Sequence, residues 1–149
     1  MSGNSSNSRQ KAKQRYVGIP HPIVKSEQFA NLSPSATRLL FMILFQYNGS
    51  NNGNLVVTWK DYQDIAGVKS EKTFRAALDE LVESGLLLRV GFGTTKRSRG
   101  KLPYLYAIAW LSIDETHNVN IKPRPPPLKM SEVKEAGWVK RFIKAIYKR

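Results

Sequence analysis

The chain has 149 residues, 24 of them Lys or Arg and 11 Asp or Glu, for a formal net charge of +13 and a pI near 10.2. The length and an apolar fraction of 41% suit one modest core with tails. Cysteine is absent, which excludes disulfides and Cys-based metal sites or nucleophiles, no apolar run approaches the ~20 residues that span a bilayer, and the first fifteen residues lack the apolar stretch of a secretory signal.

The basic excess is uneven. Residues 1–16 carry four bases and no acid, residues 17–88 six bases and seven acids, residues 89–110 five bases and no acid, and residues 111–149 nine bases and four acids. A near-neutral body with basic tails and one basic internal segment implies a polyanionic partner. Residues 1–15 are Ser/Asn/Gly/Lys-rich and predict a disordered arm. Its cations Arg9, Lys11, Lys13 and Arg15 fit either an arm lying along phosphates or a solubilising tail.

Tyr16–Pro22 predicts an extended lead-in, with Pro20 and Pro22 opposing helix. Lys25–Asn31 predicts a short helical turn anchored by Phe29. The first long helix starts at Ser33, which caps it, with Pro34 in the first turn. Leu32, Ala36, Leu39, Leu40, Ile43, Leu44 and Tyr47 recur at helical spacing and form its buried face. Residues 48–54, Asn-Gly-Ser-Asn-Asn-Gly-Asn, predict a turn. A plain connection is the preferred reading there, and a phosphate-binding nest the other. Leu55–Thr58 predicts a short strand. Thr58 then caps a second helix to about Ala66, with Asp61 in capping-box position.

Ser70 caps a third helix, about Glu71–Ser84, whose inner stripe is Phe74, Ala77, Leu78, Leu81 and Val82. Gly67 and Gly85 suit the left-handed residue that ends a helix. Leu86–Val90 and Leu105–Trp110 predict strands around a loop at 91–101. Lys122–Leu128, with four prolines, predicts a stiff polyproline spacer or docking peptide. Ser131 predicts the cap of a last helix running to about Tyr147, apolar at Val133, Trp138, Val139, Phe142, Ile143 and Ile146.

The stretch Ile65-Ala-Gly-Val68, followed by Ser70, supplies a small residue at a helix crossing (Ala66), a turn glycine (Gly67), an apolar plug (Val68) and a cap. Those are the needs of a helix-turn-helix. A helix read against the major groove wants short polar or cationic residues on its outer face near its N-terminus. Lys69, Ser70, Lys72, Thr73, Arg75 and Ala76 stand there, at the end that the helix dipole makes favourable to phosphate. Lys72 and Arg75 are the candidates for base edges, and Thr73 for a thymine methyl or a phosphate. The loop adds Thr94, Thr95, Lys96, Arg97, Arg99 and Lys101, with no acid. Such charge opposes folding through self-repulsion, whereas phosphate or the minor groove would favour it.

Enzyme motifs fail their context. Gly91-Phe-Gly93-Thr-Thr-Lys96 lacks the third glycine and the helix of a dinucleotide fingerprint. Gly93 to Gly100-Lys101 has the wrong spacing for a Walker loop. His21 and His117 flank the folded segment without a shared motif, and Asp61 and Asp64 read as cap and solvated acid. No enzyme activity, cofactor or metal is expected.

The segments Leu32–Ala36, Tyr47–Gly53, Phe74–Leu81, Gly85–Leu88 and Tyr106–Trp110 resemble the winged helix-turn-helix superfamily, and within it the small DNA-binding proteins of bacterial plasmids, phages and integrated elements. The resemblance covers about residues 16–111. It implies an α+β fold, a three-helix core with a β-hairpin wing, acting on double-stranded DNA in transcriptional or replication control of a mobile element. It also implies a bacterial cytoplasm and nucleoid as its location. Replication initiators of this type often carry two such domains, and this chain has room for one, which leaves accessory or regulatory roles open.

The expected organisation is a disordered basic arm (1–15), the winged domain (16–111), a Pro-rich linker (112–130) and an amphipathic helix (131–149). The partner expected first is double-stranded DNA, with a homodimer if the target is a palindrome. An alternative of another class is a non-enzymatic adaptor. It would recruit a protein, or an anionic membrane as the less expected partner, through the Pro-rich segment and last helix. That helix is also the candidate for dimerisation, and the preferred reading of it is that it packs back on the domain.

Overall fold

The computed structural model describes residues 14–65, 68–93, 103–118 and 120–148. In chain order they form α1 (His21–Val24), α2 (Glu27–Ala30), α3 (Pro34–Gln46), β1 (Leu55–Val56), α4 (Trp59–Tyr62), α5 (Glu71–Glu83), β2 (Leu87–Phe92), β3 (Tyr104–Ile108) and α6 (Trp138–Tyr147). The fold is α+β: helices against a small antiparallel sheet of order β1-β3-β2, an arrangement compatible with the winged-helix class.

Capping sets the helix starts. Ser33 accepts the Ala36 N–H at 3.2 Å, with Pro34 in the first turn of α3. Ser70 accepts the Thr73 N–H at 3.1 Å at the start of α5. Gly85, at φ +80°, takes the left-handed position after α5. A carboxylate joins α3 to α5: Glu80 accepts the Ser33 N–H at 3.2 Å and the Ser33 hydroxyl at 2.7 Å.

The main core lies between α3, α5 and one face of the sheet. Leu39, Leu40, Ile43, Phe74, Leu81, Leu87, Tyr106 and Ile108 fill it. The short strand β1 is an edge, and edges leave backbone groups unpaired. Gln46 at the end of α3 pairs with this one as another strand would. Its amide donates to the Val56 carbonyl at 2.9 Å and accepts the Val56 N–H at 2.8 Å.

The opposite face of the sheet is also covered. Leu105 and Ala107 pack there with Ile113 and Ile121, flanked by Val56, Leu88 and Val90. This explains why β3 reads Leu-Tyr-Ala-Ile over 105–108, buried throughout, rather than alternating apolar and polar residues. It also alters the reading of the Pro-rich stretch, which runs along the body and not away from it. Ile113 and Arg124 exchange backbone hydrogen bonds (2.9 and 3.2 Å), and the Leu128 N–H reaches the Ala109 carbonyl at 2.9 Å. Leu128 and Met130 pack on the main core.

The Asn-rich turn is more than a connection. Asn52 is fully buried. Its side-chain amide donates to the carbonyls of Ile108, Leu111 and Ser112 (3.1, 3.3 and 2.9 Å) and accepts the Ile108 N–H at 2.7 Å. Gly53 follows at φ +101°, where a Cβ would come within 2.8 Å of the Ile113 side chain. The turn therefore ties the start of the sheet to the segment that leaves it.

Several predicted boundaries move. Pro22 does not hold the lead-in out of helix; it lies within α1, early in the turn where its missing N–H is no loss. The second helix is shorter than predicted, ending at Tyr62. The last helix does not start at Ser131. Met130–Glu132 is one 3-10 turn, and α6 begins at Trp138. Between them the backbone pairs elsewhere. The Glu27 N–H donates to the Lys134 carbonyl at 2.9 Å, and the Ala136 N–H to the Lys25 carbonyl at 2.8 Å. These bonds clasp the early and late parts of the chain together. Val139 is the buried residue of α6. Among the described residues no helix is long and apolar enough to cross a membrane.

Candidate nucleic-acid interface

Where it is described, the α4–α5 unit has the predicted buried plug and inner stripe of α5, on a first helix shorter than predicted. Val68 is fully buried as the plug of the turn, and its N–H reaches the Ile65 carbonyl at 3.1 Å. Ala66 and Gly67 lie outside the described residues. Phe74, Ala77, Leu78 and Leu81 face inward. Phe74 sits under two rings of α4, with centroids 5.8 Å from Trp59 and 6.0 Å from Tyr62. These contacts fix α5 against α4.

The outer face of α5 is open. Lys69, Ser70, Lys72, Arg75 and Ala76 are exposed and Thr73 is half-buried. Two of the predicted readers are engaged within the helix. The Ser70 hydroxyl donates to the Thr73 hydroxyl at 2.9 Å. Arg75 pairs with Glu71 one turn earlier, at 2.7 Å through Nη2 and 3.2 Å through Nε. That pair is solvent-exposed, so it holds the guanidinium only weakly.

A groove of about 710 Å³ runs beside this face. Thr58, Trp59, Lys60 and Asp61 line one side, Arg75, Leu78 and Asp79 a second, and Arg89, Pro103, Tyr104 and Tyr106 a third. The outer face of α5 and the foot of the β2–β3 hairpin thus border the same opening. Its charges are mixed: three cations (Lys60, Arg75, Arg89) and two acids (Asp61, Asp79).

At the hairpin foot lies a row of rings and one cation. The Arg89 guanidinium stands 4.2 Å over the Tyr104 ring and 5.6 Å from that of Tyr106, and Nη2 donates to the Tyr106 hydroxyl at 3.4 Å. This hydrogen bond, with the fields of Tyr106, Tyr104 and Asp79, raises the Arg89 pKa against the opposing effect of its partial burial. Phe92 and Tyr104 stack with centroids 4.6 Å apart, and both are exposed.

A β-bulge makes this row. Arg89 pairs with Tyr106 and Phe92 with Tyr104, while the register slips between Arg89 and Gly91. In a regular strand, residues three apart point to opposite faces. The extra residue returns Phe92 to the face that carries Arg89. Sequence reasoning missed Arg89, Tyr104 and Lys60 as site residues. The available signal was Tyr104 and Tyr106 at strand spacing, opposite a lone arginine.

The hairpin residues Thr94, Thr95, Lys96, Arg97, Arg99 and Lys101, and the arm residues Arg9, Lys11 and Lys13, lie outside the described residues. Arg15 is described and exposed. Among the described residues no cluster of three or more His, Cys, Asp or Glu has the arrangement to hold a metal.

Tyr62 ties this unit to the core. It is 6% exposed, and its hydroxyl accepts from the Gln46 amide at 2.9 Å. Burial pushes its pKa from 10.0 up to about 12. The folded state therefore keeps this proton to higher pH than the unfolded chain does. The resulting stability is whole below pH 10 and is lost as the pH rises toward 12. Denaturant titrations should show a loss of roughly 2–3 kcal/mol over that window, and Tyr62→Phe should remove that part of the slope.

No protein-family model matches the chain, and no curated protein matches it. Among solved structures the chain is similar to one described as "Structure of Rep-DNA complex", with a TM-score of 0.47 and 17% identity, covering 98% of this chain and 95% of that one.

Proposed function

We propose that the chain is a sequence-specific, non-enzymatic double-stranded DNA-binding protein of the winged helix-turn-helix type, regulating transcription or replication of a mobile genetic element. In this reading α5 enters the major groove. Lys72 and Arg75 address base edges, and Lys69, Ser70, Thr73 and Ala76 fill the contact around them. Thr94, Thr95, Lys96, Arg97, Arg99 and Lys101 grip the backbone or the minor groove, and Arg9, Lys11, Lys13 and Arg15 add phosphate contacts.

The observation that supports it most is the shared opening beside α5. Arg75 from the helix, and Arg89, Pro103 and Tyr104 from the hairpin foot, border one groove. Lys72 and Arg75 both face solvent. One duplex can therefore meet the helix and the hairpin together.

The test is selection of bound fragments from a random duplex pool, followed by a salt titration on the selected site. A log–log slope of roughly −5 or steeper is expected, matching about six phosphate contacts. No enriched sequence, or a slope near zero, would overturn the reading. Glu71→Ala should tighten binding about threefold to tenfold in the same titration, because it releases Arg75 and removes an acid from the phosphate-facing end of the helix.

A further inference from the structure

The helix α6 divides cleanly around its axis. At about 100° per residue, Trp138, Phe142, Ile146, Val139, Ile143 and Tyr147 fall on one arc of roughly 180°. Lys140, Arg141, Lys144 and Lys148 fall on the other side, and no acid lies between Ala136 and Arg149. Only the first turn of α6 is docked, through Val139 at 1% exposure. Phe142 is 54% exposed, Ile143 38%, Ile146 42% and Tyr147 79%. Among the described residues the body covers this arc at Val139 and leaves its other positions at least partly open to solvent.

We infer that α6 is a docking element for an anionic lipid bilayer, lying in its surface with the apolar arc in the acyl boundary. The shape of the arc favours this occupant. A helix pairing with one other helix buries a narrow seam, whereas a helix at a planar boundary is half immersed, and half of α6 is apolar. The arc is also edged as an interface demands. Trp138 and Tyr147 stand at its two margins, where amphipathic rings meet the headgroup level. The Trp138 ring packs edge-on against Phe142 at 5.5 Å, and so sits between margin and centre.

Charge separates the occupants. Pairing with a second copy through this arc would leave the cations of both helices, Lys140 at the arc's margin included, with no acid from either helix to answer them. An anionic headgroup layer meets the same cations with opposite charge, at a favourable contribution per Lys or Arg near the surface. The helix thus has both terms that interfacial helices combine: buried apolar area and attraction to anionic lipid. This inference is independent of the DNA reading, because none of its residues borders the groove beside α5.

The experiment uses the full chain and two vesicle types, pure phosphatidylcholine and phosphatidylcholine mixed with phosphatidylglycerol. The chain should sediment with the mixed vesicles and stay in solution with the pure ones, and Trp emission should shift to the blue on binding. Phe142→Ser with Ile146→Ser keeps the net charge and touches only exposed positions, so its thermal melt should match the parent chain. Its binding to mixed vesicles should fall by roughly tenfold or more. Equal sedimentation of this variant would overturn the inference, since the contact would then be one of charge alone. So would failure of the parent chain to sediment. A lipid-free dimer by light scattering that becomes monomeric in the variant would also overturn it, in favour of a second copy on this face.

Discussion

Asn52→Ala should lower the folding stability by about 3–5 kcal/mol, the largest effect expected of a single substitution outside the apolar core. The side chain has no solvent contact and makes four hydrogen bonds, to Ile108 twice and to Leu111 and Ser112. Alanine cannot replace any of them. It leaves the Ile108 N–H and the Leu111 and Ser112 carbonyls without this partner, while the Ile108 carbonyl keeps the Leu111 N–H at 3.3 Å; a buried unpaired group costs about 1–3 kcal/mol before relaxation. Water that enters the vacated space would recover part of the loss. For a domain of this size the melting temperature should fall by roughly 10 °C or more. Asn54→Ala, two residues on and exposed, should stay within about 0.5 kcal/mol of the parent. Equal effects at the two positions would mean that the turn serves only as a connection.

The second large effect concerns binding. Replacing Lys96, Arg97 and Arg99 together by Ala should weaken affinity for the selected duplex by about 100-fold at moderate salt and flatten the salt slope by roughly 2–3. Each cation that meets a phosphate releases counterions, so three losses appear in the slope as well as the affinity. Lys72→Ala should behave differently. It should relax discrimination at one base position by about 1–3 kcal/mol while moving the slope by 1 or less. A triple variant that loses affinity with no change of slope would place the hairpin away from the phosphates.

The two long helices were legible because they rest on local signals. Ser33 and Ser70 announce α3 and α5, and the apolar spacing from Ala36 to Leu44 and from Phe74 to Leu81 names their inner faces. The outer face of α5 was equally readable, since the inner stripe leaves Lys72, Arg75 and Ala76 nowhere else to go. What stayed hidden was non-local. Asn52 lies in a run of turn formers, and nothing nearby says that its amide crosses to β3. Ile113 and Ile121 sit among polar and proline residues, yet they close the second face of the sheet. The bulge after Arg89 is set by pairing across two strands and leaves no local mark. For the same reason Arg89 and Tyr104 escaped notice as partners. The prolines after Ile121 suggest a rod only when the body they lie against is left out.

That roof over the sheet limits how far the proposed DNA-facing unit can be carried elsewhere. A graft cut after Trp110 would include every element of the helix-turn-helix and its hairpin, but would leave Leu105 and Ala107 wet. It would also drop the strand-like clasp between Lys25 and Ala136. Such a fragment should stick to copies of itself rather than fold alone. The portable unit therefore extends to Ala136, and a designer exchanging the outward residues of α5 should treat the proline-rich passage as part of the chassis.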